Sequence, residues 1–153
     1  MINGNTENTE NTENTEKTEK YEKYLEIKPE QLERSKILAE KISLILDDKK
    51  ARQIKIIETN KQTIIADYFV LATGTSSTHI RSLSGEIEFQ LNEKLSVLPS
   101  RISGADSNDW IIMDYDSVLV HIFNSEARDY YKLEKLWGDG ASVTAEEILK
   151  LRV

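Results

Sequence analysis

The first 28 residues have no regular apolar face, and the rest of the chain has several. From Asn5 to Glu16 the triplet Asn-Thr-Glu occurs four times, then decays through Lys17-Thr18-Glu19 to Lys20-Tyr21-Glu22. A period of three matches neither the 3.6 of a helix nor the 2 of a strand, so little apolar area offsets the roughly 1–2 kcal/mol of backbone entropy per residue. Residues 1–28 are expected to form a disordered acidic tail. From Pro29, which suits a first helical turn, Leu32, Ser35, Leu38, Ala39, Ile42, Ile45 and Leu46 recur at helical spacing up to Asp47-Asp48. Residues 52–58 and 63–72 are β-branched and apolar and read as a hairpin about Thr59 to Gln62. Gly74 ends the second strand, and Thr75 to Thr78 offer caps to a helix with apolar positions Ile80, Leu83, Ile87, Leu91 and Leu95. A short strand near Val97 to Ile102 follows, then a second hairpin of Trp110 to Asp114 and Val118 to Phe123. Ser125 would cap a last core helix running through Trp137.

This order predicts an α/β single domain over residues 29–139, with a mixed sheet of about five strands flanked by helices. A strand, a long helix and another strand imply a crossover, whereas the hairpins impose antiparallel pairs. Residues 140–153 read as an extension with a short helix, because Thr144 and Glu147 are spaced as a capping box.

Composition narrows the chemistry. The absence of cysteine rules out disulfides, thiolate metal sites and thiol catalysis. No apolar run approaches the roughly 18 residues of a membrane-spanning helix, so a cytoplasmic protein without a membrane partner is expected. The net charge of -7 leaves no basic surface for coating or sequence-specifically reading nucleic acid, and a basic protein partner suits it better.

Four constellations could carry chemistry. Gly74-Thr75-Ser76 opens a helix as a phosphate cradle would, but no Gly-Lys-Ser/Thr follows, and a capped strand-to-helix turn explains it. The same residues nearly spell a nucleophile elbow, yet β-branched Thr78 stands where a second glycine is needed. Asp114-Tyr115-Asp116 could aim two carboxylates at Mg²⁺, which gives the alternative of a Mg-dependent nucleotidyltransferase-like enzyme. Against it, Asp116 falls where the hairpin must reverse. His79 and His121 are isolated, so no metal or other cofactor is expected. The last third holds Trp110, Tyr115, Phe123, Tyr130, Tyr131 and Trp137; on one continuous helix Tyr130, Leu133 and Trp137 would share a stripe wider than one buried side needs. Such stripes have the composition of protein-interface anchors.

Four ordered motifs then bear a resemblance. D-Y-F-V-L-A-T-G-T-S-S-T-H-I (Asp67 to Ile80), D-W-I-I-M-D-Y (Asp109 to Tyr115), V-L-V-H-I-F (Val118 to Phe123) and R-D-Y-Y-K-L-E-K-L-W-G-D (Arg128 to Asp139) resemble the ribosomal silencing factor family, RsfS or Iojap, from about Gln31 to Asp139. The resemblance implies a nucleotidyltransferase-like core without catalytic residues, hence no enzyme. It also implies binding to the large ribosomal subunit through its protein fourteen, a block on subunit joining, and repression of translation when nutrients are short. Carried over from the motifs, the partner-binding residues would be Asp67, Tyr68, Ser76, Ser77, Trp110, Asp114, Tyr115, Tyr131, Leu133, Glu134 and Trp137. A homodimer through the aromatic helix would compete for that surface. The chain departs from the family at Asp114-Tyr115-Asp116-Ser117, which lacks the usual turn glycine and is expected to carry strain. Ala66 and Ser103-Gly104-Ala105 also depart, and the tail and the segment after Asp139 have no counterpart in this reading.

Overall fold

The computed structural model describes residues 28–138 and a two-residue strand at 142–143. The Asn-Thr-Glu tail and the Thr144–Glu147 capping box lie outside the described residues. Helix α1 (Pro29–Asp48) starts at the proline and is followed by strand β1 (Arg52–Glu58) and strand β2 (Tyr68–Thr73). Helix α2 (Ser77–Leu95) then leads to β3 (Arg101–Ser103), β4 (Trp110–Asp114) and β5 (Val118–Phe123). Two short helices, α3 (Ser125–Tyr131) and α4 (Leu133–Leu136), precede β6 (Ser142–Val143).

The strands form one mixed sheet in the order β3-β4-β5-β2-β1-β6. The expected crossover through α2 is present, since β2 and β5 pair in parallel from Tyr68–Val118 to Thr73–Phe123. All other pairings are antiparallel. The five expected strands are joined by β6 on the outer edge of β1, within the segment read as an extension.

One face of the sheet is covered by α1 and α2. Ile56, Val70, Ala72, Ile111, Met113, Val118, Val120 and Ile122 meet Ala39, Ile42, Leu46, Ile80, Leu83, Ile87 and Leu91 there, all of them buried. Each large aliphatic side chain so buried contributes about 1.5–3 kcal/mol of transfer free energy. Gly74 allows β2 to end against α2, because a Cβ at that position would stand 2.7 Å from Ile80 Cγ1 and 3.2 Å from Ile80 N. His79 ties the two helices together: its Nδ1 accepts from Thr75 N at 2.9 Å, which leaves Nε2 to donate to Lys49 O at 2.8 Å.

Three local expectations are corrected. The second strand begins at Tyr68 rather than residue 63, because Ile64 and Ile65 are exposed in an irregular connection instead of pairing in a tight hairpin. The third is confined to Arg101–Ser103. The last core helix does not run through Trp137: Lys132 takes φ +47° and divides it into α3 and α4, and its cap is Asn124, whose side chain accepts from Ala127 N, rather than Ser125.

Candidate functional site: the aromatic face of the sheet

The opposite sheet face carries Phe69 and Leu71 of β2, His121 and Phe123 of β5, and Trp110 of β4, because alternation sends every second side chain there. Among the described residues its cover is α3 and α4, eleven helical residues. Trp110 is the hub: its ring lies 4.9 Å from Phe123, 4.7 Å from Tyr131 and 5.8 Å from His121. Phe69 stands 4.9 Å from His121 and 5.1 Å from Trp137, and Tyr130 packs on Tyr131. Such ring pairs contribute beyond their buried area and fix orientation. Yet Tyr130 is 81% exposed, Leu136 70% and Tyr131 46%, and Trp110 and Trp137 are half-buried.

The break at Lys132 explains this arrangement. Continued as one helix, Tyr130, Leu133 and Trp137 would share a stripe; instead Leu133 is buried, Trp137 lies on Phe69, and Tyr130 points away. Arg128 holds the break closed. Its buried guanidinium pairs with Glu134 and donates to Thr73 Oγ1 at 3.2 Å, while Thr73 Oγ1 donates to Gln53 Oε1 at 3.0 Å. Six residues separate Arg128 from Glu134, a spacing that gives no pairing signal on a continuous helix. Sequence reasoning therefore missed Arg128.

His121 sits beneath this cover. Burial, reinforced by the nearby Arg128 charge, pulls its pKa down to about 4. The neutral ring accepts from Trp110 Nε1 at Nδ1, 3.2 Å away, and its protonated Nε2 has no partner among the described residues.

The structure divides the expected contact residues into two groups. Trp110, Tyr131 and Trp137 come together on the aromatic face, and Ser76 and Ser77 lie at its margin. A polar cleft containing both serines shares Asn124 and Glu126 with a second cleft against Tyr130 and Tyr131. Ser76 also caps α2, accepting from His79 N at 3.0 Å. Asp67, Tyr68, Tyr115 and Leu133, also expected as contacts, are instead buried and serve the fold. Asp67 accepts from Ser35 Oγ at 2.5 Å. Tyr68 and Tyr115 belong to the core beneath α1 and α2, and burial raises both phenols, Tyr68 to about 12. Glu134 is turned inward onto Arg128. Asp114 Oδ1 accepts from Asp116 N at 2.8 Å, and Asp116 sits in the turn at φ +64°, so the two carboxylates do not share a face. Among the described residues no group of three His, Asp or Glu could hold a metal ion.

Comparison with known proteins gives these features a context. The sequence profile of the family described as ribosomal silencing factor during starvation matches residues 32–152, so the match runs on past Asp139, where the resemblance read from the motifs ends. The chain is 32% identical over 104 residues to the ribosomal silencing factor RsfS of Halalkalibacterium halodurans, covering 68% of this chain and 88% of that one. It is 36% identical over 93 residues to RsfS of Bacillus subtilis, covering 61% and 78%. A crystal structure of a protein from Chromobacterium violaceum superposes with a TM-score of 0.62 at 27% identity, over 78% of this chain and 93% of that one. With well over half of its length matched, the chain belongs to the ribosomal silencing factor family.

Proposed function

We propose that this protein binds the large ribosomal subunit through ribosomal protein fourteen, and that its bulk keeps the small subunit from joining. The names of its relatives support a role in ribosome silencing and translation regulation. The observation that carries the finer reading is the rigid, half-exposed ring cluster of Trp110, Tyr131 and Trp137, flanked by exposed Tyr130 and Leu136. Aromatic anchors of this kind, preset by packing, bind with little further loss of side-chain entropy.

The mechanism is occupancy. A domain of about 110 residues has a radius of gyration near 13 Å and is thus roughly 30 Å thick, more than two closely apposed subunits can admit between them. A patch of about 800 Å² per partner suffices for a specific interface. The net charge of -7 favours approach to a basic protein and repels the chain from exposed RNA. No catalytic group is required, and the geometry of Asp114 and Asp116 does not favour the nucleotidyltransferase alternative.

Sedimentation with purified subunits tests the reading. The protein should pellet with free large subunits and not with small ones, and should slow their association when in excess. Association at undiminished speed with the large subunit saturated would refute it.

A further inference from the structure

On the face away from the aromatic cluster, an open groove runs between α1 and the C-terminal part of α2. Gln31, Arg34, Ile37, Leu38, Lys41, Leu95 and Val97 line it, and Lys94 stands at its continuation toward Leu44 and Leu91. Its walls are mainly apolar: Ile37 is 42% exposed and Leu95 39%, and neighbouring Leu98 is also exposed. The rim is basic. Among the described residues Arg34 and Lys41 make no ion pair, although the chain as a whole carries seven more acids than bases. An apolar cleft edged with unpaired cations fits an amphipathic acidic segment.

The chain carries such a segment just before α1 in sequence. Residues 21–27 read Tyr-Glu-Lys-Tyr-Leu-Glu-Ile, with Tyr21, Tyr24, Leu25 and Ile27 as apolar groups and Glu22 and Glu26 as acids, and they join α1 one residue before Pro29. We propose that residues 21–27 fold back and fill the α1–α2 groove of their own chain, Tyr24 and Leu25 against Ile37 and Leu95, and Glu22 and Glu26 toward Arg34 and Lys41. The reach is sufficient. Gln31 to Lys41 spans about 15 Å of helix at 1.5 Å per residue, and seven extended residues cover roughly 23 Å. The tether is short, so the segment is present at an effective concentration of order mM and weak contacts suffice. The Asn-Thr-Glu repeat would then begin from a fixed point on the helical layer, with the aromatic face left free.

The absence of cysteine makes the test direct, since one introduced thiol takes one spin label. A label on full-length Glu93→Cys, exposed on α2 beside the groove, should erase the amide signals of residues 21–27, whereas one on Glu126→Cys, across the sheet, should not. Leu25→Glu should restore the erased signals without changing the spectrum of the sheet, as should Ile37→Glu. Persistence of all signals near the Glu93 label would overturn the proposal. So would signal loss that fades on dilution, which would identify a second copy as the occupant. Large-subunit binding should be unaffected by Leu25→Glu, which keeps this inference separate from the proposed function.

Discussion

The two faces of the sheet are built on different principles. Beneath α1 and α2 the side chains are mainly aliphatic, with Tyr68 and Tyr115 among them, and buried under two helices of 20 and 19 residues. Beneath α3 and α4 the rings of Phe69, Trp110, His121 and Phe123 stand among Ile57, Leu71 and Leu133, and eleven helical residues leave Trp110 and Trp137 half in solvent. The first arrangement maximises burial, and the second gives some of it up for rigid exposed surface. Stability should therefore reside mainly in the first face, and recognition in the second.

The largest expected effect tests the sealed face. Ile42→Ala, at a fully buried position, should cost about 4 kcal/mol in chemical denaturation with no change in large-subunit affinity of the folded fraction. A loss under 1 kcal/mol would remove the distinction. Glu134→Gln leaves the buried Arg128 without its counter-charge and should cost about 3 kcal/mol. Because the pair also holds α4 in place, this variant should weaken binding as well, which Ile42→Ala should not.

Through His121, acid should act on the aromatic face. The folded pKa of His121, about 4, lies below the ordinary 6.5, so the unfolded chain binds the extra proton. The stability present above pH 6.5 should fall as pH drops to 4, by about 3 kcal/mol, and His121→Phe should flatten that part of the pH–stability curve. Tyr131→Ala should cost only about 1 kcal/mol in unfolding, since the ring is 46% exposed, yet weaken large-subunit binding by about 2 kcal/mol, roughly 30-fold. The smallest effect lies at the β4–β5 turn. Asp116→Gly should stabilise the fold by about 0.5–1 kcal/mol, because glycine accepts φ +64° without a side-chain penalty.

The sealed face was legible in the sequence because its signals are local and repeated. The period from Leu32 to Leu46 and from Ile80 to Leu91 states which helix sides are buried, and Pro29 and Ser76 mark the starts. Strand alternation puts His121 opposite Val118, Val120 and Ile122, as the structure has it. The aromatic face was harder to read. Nothing near Lys132 signals a break, as no glycine or proline is present, and the periodic Tyr130, Leu133 and Trp137 favour continuity. What divides the helix is a contact between Arg128 and Glu134 that exists only after the break. Motif membership does not say where a side chain points, and Asp67, Tyr68 and Tyr115, expected as contacts, lie inside.

The parallel β2–β5 pair has a consequence for biosynthesis. Tyr68 pairs with Val118, so the central strand is made 50 residues before its neighbour. At about 5–20 residues per second, β2 emerges several seconds before its mate, with Val70, Leu71 and Ala72 lacking half their partners. During that interval the nascent polypeptide is vulnerable to clumping and attractive to chaperones, and a codon-dependent pause before Val118 would lengthen the exposure.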